Sequence, residues 1–170
     1  MFTEAAICRA EDSKRKCCER LSVCRRMGKG DFPGPITVPE RGRNMEIQLH
    51  REETGEGKPL ILLHGNGEDG TYFRGQMEAF SHKYRVIAVD TRGHGKSPRG
   101  TAPFSLGQFT EDLKDFLDEM GIEKGIFLGF SDGGNIALMF ALKYPSRVEA
   151  LIVNGANLNP AGMKRSVLLP

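Results

Sequence analysis

The residues with the most chemical promise are Gly129-Phe130-Ser131-Asp132-Gly133-Gly134. They follow the apolar run Gly125-Ile126-Phe127-Leu128 and lead into a helical pattern over residues 135–143. A G-x-S-x-G between a strand and a helix predicts a sharp, strained turn that holds the Ser131 hydroxyl out above a sheet, where it can attack an acyl carbon. Glycines on both sides suit such a turn, because they let helix and strand approach more closely than a Cβ permits. With 21 glycines in 170 residues the pattern can arise by chance, but its place between strand and helix argues for the elbow.

Two other glycine-rich loops invite a phosphate reading. Gly65-x-Gly67-x-x-Gly70 follows a strand, and Asp90 ends the next strand 20 residues on, which formally meets a dinucleotide-binding (Rossmann-type) fingerprint. Glu68 and Asp69 lie inside that loop, however, and two carboxylates there would repel a pyrophosphate. Gly95-Lys96-Ser97 fails as a phosphate-binding loop, since the first glycine it requires falls at Asp90.

The elements that must position these loops are readable. Residues 36–38 and 45–51, with Met45, Ile47 and Leu49 alternating, predict an antiparallel strand pair, with a turn at residues 53–57. Leu60-Ile61-Leu62-Leu63 is a continuous apolar run of the kind buried on both faces of a parallel sheet, and it ends in His64-Gly65-Asn66-Gly67. A helix carrying Phe73, Met77 and Phe80 follows, then a strand over residues 85–90. The next helix opens on a capping box, Ser105 with Gln108, buries Phe109, Leu113, Phe116, Leu117 and Met120, and stops at Gly121. After the elbow strand and its helix, Ala150-Leu151-Ile152-Val153 is a last buried strand. Alternating strands and helices predict an α/β fold: a mostly parallel sheet with helices on both faces.

His64-Gly65-Asn66-Gly67, Asp90-x-Arg92-Gly93-His94-Gly95-x-Ser97 and Gly129-x-Ser131-x-Gly133-Gly134, in this order and spacing, resemble the α/β-hydrolase superfamily. The Ser-Asp-Gly-Gly variant is similar to that of the valacyclovir-hydrolase-like (biphenyl-hydrolase-like) branch. The resemblance covers residues 36–160 and only the N-terminal part of that fold, which would end after its sixth strand. It implies a serine hydrolase of a small carboxylic ester, amide or lactone, with Ser131 as nucleophile and the backbone N–H groups of Asn66 and Asp132 as the oxyanion hole. In that branch the acid matching Asp132 binds a substrate ammonium; the alternative is an acid that shapes the turn through local hydrogen bonds. The reaction class needs no cofactor and no metal.

The fold's usual order is Ser, then Asp or Glu, then His. Here no histidine follows Ser131, and the acids after it are Asp132, inside the elbow, and Glu149, just before a strand. His50, His64, His82 and His94 all lie upstream; His64 and His94 sit in family loops, as hydrogen-bonding residues or as substitute bases. The expectation is a chain lacking the downstream catalytic Asp and His, inactive or weakly active alone. The alternative is a non-catalytic fragment or ligand-binding protein of the same fold. In either case Ala150–Val153 is expected to be an unpaired sheet edge, open to self-association.

Composition supports one domain of this kind. The chain is 39% apolar with net charge +2, but residues 1–33 hold eight Lys/Arg against five Asp/Glu and all four cysteines, Cys8, Cys17, Cys18 and Cys24. The cysteine spacing fits no zinc pattern, and a reduced, cytoplasmic setting follows. Residues 1–33 are read as a basic, disordered leader, 34–160 as the partial hydrolase domain and 161–170 as a tail. The near-neutral body offers no nucleic-acid surface, and no run of about 18 apolar residues suggests a membrane span. The expected partner is a small acyl substrate.

Overall fold

The computed structural model describes residues 6–9 and 46–157. The expected strand at residues 36–38, Met45 and the tail at 161–170 lie outside the described residues. Among the described residues six strands form one sheet: β1 (Ala6–Arg9), β2 (Arg51–Thr54), β3 (Lys58–Leu63), β4 (Tyr84–Val89), β5 (Gly125–Phe130) and β6 (Val148–Asn154), in the order β1-β6-β5-β3-β4-β2. The central β6-β5-β3-β4 pairings are parallel, while β1 and β2 run antiparallel at the two ends.

Burial explains the parallel centre. On one face Ile61, Leu63, Ile87, Val89, Phe127 and Leu151 pack under two helices, α2 (Leu106–Glu119) and α3 (Asp132–Lys143), as one core. On the other face Leu60, Leu62, Val86 and Ala88 pack with Phe73 and Met77 from a 3-10 turn, Gly70–Phe73, and the short helix α1 (Arg74–Phe80). Strands covered on both faces carry continuous apolar runs rather than alternating ones, as β3 does over residues 60–63 and β4 over residues 86–89. α2 starts where expected, with the Ser105 hydroxyl accepting from the Gln108 N–H at 3.2 Å. The reciprocal half of the capping box is not made: the Gln108 side chain reaches forward to Asp112 instead, at 2.9 Å.

Two expectations are corrected. The strand read over residues 45–51 is displaced: residues 47–50 approach the sheet without a ladder, and pairing with β4 begins at Arg51, running through residues assigned to the turn. Ile47 and Leu49 still point into the core, so the alternation recorded burial rather than strand pairing. The edge of β6 is not unpaired, because β1, inside the presumed disordered leader, pairs with it from Ala6 against Val153 to Arg9 against Ala150. An open row of N–H and C=O groups on a buried strand is satisfied by whichever backbone reaches it.

The strand order also marks where a ligand site is expected. From β3 the chain crosses to β4 on one side, and from β4 it returns past β3 to β5 on the other. The crevice beyond the carboxyl ends of β3 and β5 is therefore the topological switch point, where open α/β sheets bind ligands.

Candidate active site

Ser131 joins β5 to α3 with φ 51° and ψ −116°, the one non-glycine residue with positive φ among the described residues. Such a conformation costs on the order of 1–3 kcal/mol and persists only where its surroundings enforce it. The enforcement is visible: the Ser131 N–H donates to the Asn154 carbonyl at 2.8 Å, and its carbonyl accepts from the Asn135 N–H at 3.1 Å. The glycine requirement is steric. A Cβ on Gly129 would overlap the Gly133 carbonyl, and one on Gly133 would overlap the Leu63 carbonyl at the end of β3. The elbow thus stands at the N-terminus of α3, whose aligned N–H groups favour negative charge there. Asp132, half-buried in the first turn, takes a long 3.4 Å hydrogen bond from Asn135 Nδ2. The Asn135 Oδ1, buried behind it, has no hydrogen-bond partner among the described residues.

The loop after β3 meets the elbow directly. A methyl placed on Gly65 would stand 3.2 Å from Ser131 Cβ, 3.2 Å from the Phe130 ring and 3.0 Å from Glu68 Oε2. The Gly65 carbonyl accepts from the Glu68 N–H at 3.3 Å, closing a turn with Gly67 at φ 74°, and from His64 Nδ1 at 2.8 Å. The same Glu68 turns its carboxylate back to the Gly65 N–H at 2.9 Å. Gly65 is buried and Asn66 is exposed, and the sequence-predicted residues Asn66, Ser131 and Asp132 lie on two loops that meet beyond the ends of β3 and β5.

His64 is a loop fastener. Its Nε2 accepts from the Thr91 N–H at 3.0 Å, so Nδ1 must carry the proton it donates to the Gly65 carbonyl. Burial pushes its pKa down, and the ring is held neutral with both nitrogens committed. That removes it as a substitute base. His94 is likewise tied into its loop, with Nδ1 3.1 Å from the Arg92 carbonyl, and its ring stacks on Phe104 at 5.7 Å. His50 joins the Asp90 cluster, while His82 sits on the surface after α1.

The third motif is a frame. Asp90 is 4% exposed, and its oxygens accept from the Gly70 N–H at 2.7 Å, the Lys96 N–H at 2.9 Å and His50 Nδ1 at 2.9 Å. Ser97 Oγ closes the loop onto the Asp90 carbonyl at 2.7 Å. Arg92, 1% exposed, makes a two-pronged pair with Asp112 at 2.7 and 2.8 Å and reaches Glu46 at 2.8 Å. Glu46 also accepts from the Thr101 N–H and hydroxyl and from the Ala102 N–H. These bonds, the Thr101 hydroxyl first, hold the Glu46 carboxyl down to about 2 from 4.5.

The dinucleotide alternative fails on this geometry. The loop amide a pyrophosphate would use, Gly65 N–H, is taken by Glu68, and the acid a ribose would use, Asp90, is consumed on both oxygens. The sequence had marked Glu68 as a repelling charge and Asp90 as the strand-end acid of the dinucleotide fingerprint and the first residue of the second family motif. Both act as acceptors for nearby backbone N–H groups, and for Glu68 the signal was a Gly-x-Gly-Glu spacing suited to a turn. Among the described residues no group of His, Cys, Asp and Glu could hold a metal, and no helix is long and apolar enough to cross a membrane.

The strained serine on a strand-to-helix turn is set against a His-Gly loop at the switch point, and the fold that holds it is matched by known proteins. Residues 58–167 match the alpha/beta hydrolase fold family. The chain belongs to that family. It is 35% identical over 140 residues to epoxide hydrolase 4 of Mus musculus, covering 76% of this chain and 39% of the relative. It is 40% identical over 126 residues to a 2-hydroxy-6-oxononadienedioate/2-hydroxy-6-oxononatrienedioate hydrolase of Paraburkholderia phymatum, covering 71% and 43%. Among solved structures, a thermophilic esterase from Thermogutta terrifontis superposes with a TM-score of 0.64 at 32% identity, covering 71% of this chain and 44% of the esterase. This member of the family spans between 39% and 44% of the length of these relatives.

Proposed function

We propose that this chain carries the nucleophilic half of a serine hydrolase acting on small carboxylic esters, amides or lactones. The observation that carries the reading is Ser131 itself, held at φ 51° at the head of α3 and touching the Gly65 loop. In this reading Ser131 attacks the acyl carbon, and the N–H groups of Asp132 and Asn66 receive the oxyanion. The half-buried Asp132 carboxylate, which takes only a long 3.4 Å bond from Asn135 Nδ2, is the candidate contact for a substrate ammonium. Relatives named as an epoxide hydrolase, a 2-hydroxy-6-oxononadienedioate/2-hydroxy-6-oxononatrienedioate hydrolase and an esterase leave the bond cleaved open, and a serine nucleophile favours the acyl reading. A serine oxygen that opened an epoxide would leave an ether, which water does not cleave. Attack on an acyl carbon leaves an ester, which water does cleave.

The proton acceptor is the open part of this mechanism. His64 has no free nitrogen and His94 is tied to its loop through Nδ1; catalysis without a base is expected to reach roughly 10³–10⁴ over water. The test is covalent labelling of the full chain with a fluorophosphonate, read by intact mass. Stoichiometric labelling that vanishes in Ser131→Ala supports an activated serine. Labelling no faster than that of a surface serine, in protein shown to be folded, would instead assign the chain to a non-catalytic or ligand-binding role.

A further inference from the structure

We infer that Glu68 is a positioning residue that aims the Asn66 N–H at the acyl oxygen, an inference that rests on the serine-hydrolase reading above. The peptide between Gly65 and Asn66 is planar and trans, so its C=O and N–H point in opposite directions. Its C=O is fixed from two sides, by His64 Nδ1–H at 2.8 Å and by the Glu68 N–H at 3.3 Å. Fixing the carbonyl fixes the amide, and the Asn66 N–H is turned away from both partners, at an exposed residue beside the elbow.

The carboxylate adds selection. Gly65 N–H and Asn66 N–H are successive donors on the loop, and only the second belongs to an exposed residue. Glu68 occupies the first at 2.9 Å with its own anion, leaving the second to the substrate. One side chain and its backbone thus grip Gly65 at both its N–H and its C=O. Without the carboxylate, Gly65 would keep a buried, unpaired donor, and the turn would shift to satisfy it. The carboxylate touches no reacting atom; it acts through the peptide.

Phenylboronic acid is the probe. Its boron accepts an electron pair from Ser131 Oγ, the hydroxyl proton leaves to solvent, and the tetrahedral adduct places a boronate oxygen where the acyl oxygen would be. Affinity is measured on the full chain by calorimetry, and the amide resonances of Gly65 and Asn66 are followed in ¹⁵N-labelled protein. Glu68→Ala is expected to weaken the adduct at least tenfold, with Glu68→Gln, which keeps an acceptor, within threefold of the parent. In the parent, the Asn66 amide proton is expected to move on adduct formation while that of Gly65 stays. Equal affinity in Glu68→Ala, or a Gly65 amide that moves with Asn66 in the parent, overturns the inference. The second measurement decides even if Glu68→Ala does not fold. A folded parent that forms no adduct and takes no fluorophosphonate overturns the nucleophile reading itself, and the positioning role with it.

Discussion

The loop around Asp90 and the elbow around Ser131 are built from similar residues and treat their polar groups in opposite ways. In the first, every oxygen of a 4% exposed aspartate is bound by the chain's own donors, and a 1% exposed arginine is paired on both prongs. In the second, a half-buried serine is held in a strained conformation with no hydrogen bond to its hydroxyl among the described residues, next to an exposed Asn66. Satisfied buried polar groups make a rigid frame, whereas a strained and open group makes a reactive point. A motif rich in His, Asp, Arg and Ser is therefore not evidence of chemistry until its hydrogen bonds are accounted for.

The sharpest way to break this comparison is Asp112→Ala, which strands the buried Arg92 cation. It is expected to cost about 3–5 kcal/mol, read as a shift in the urea midpoint. Fluorophosphonate labelling per folded molecule should stay unchanged, and a parallel loss of labelling would mean that frame and elbow are one unit. Next in size is Ser131→Gly, which removes the positive-φ penalty: stability should rise by about 1–3 kcal/mol while labelling disappears. A fall in thermal stability would show that the elbow is not strained.

A third test uses pH. Burial lowers the His64 pKa from 6.5, so the unfolded chain binds more protons. The stability from the neutral ring is full above about pH 6.5 and declines as pH falls toward the folded value, by at most about 1.4 kcal/mol per pH unit. His64→Gln should flatten that slope in urea titrations run across the window; an unchanged slope would place the titration elsewhere. The smallest effect belongs to Glu46. Its carboxyl is lowered from 4.5 to about 2, so its contribution is present above pH 4.5 and lost as pH falls toward 2. Because its side chain is 34% exposed, solvent screens the pair, and Glu46→Gln should alter only the foot of the acid-unfolding curve followed by near-ultraviolet circular dichroism.

What the sequence made legible follows the range of the forces involved. The elbow's motif lies within five residues, although its backbone is held by the distant Asn154 carbonyl, and the strands β3 to β6 depend on runs of apolar side chains, so both could be read directly. The helix α2 was readable from its cap and its 3.6-residue stripe, with Met120 alone ending half-buried rather than buried. β1 could not be read, because Ala6–Arg9 became a strand through a partner at Ala150–Val153. β2 was misplaced because its residues are polar and its ladder is chosen by β4. Asp90 and Glu68 were seen as charges, but what they bind is set by where two loops meet.

The division between frame and elbow also has an order in time. Glu46, His50, Asp90, Arg92, Ser97 and Asp112, the residues that close the frame, all precede the first residue of the elbow strand. Ser131, by contrast, needs the Asn154 carbonyl to hold its backbone. A chain made from its N-terminus at roughly 5–20 residues per second would present the complete frame roughly two to eight seconds before the elbow could lock. The reactive serine would be shaped last, against a scaffold already set.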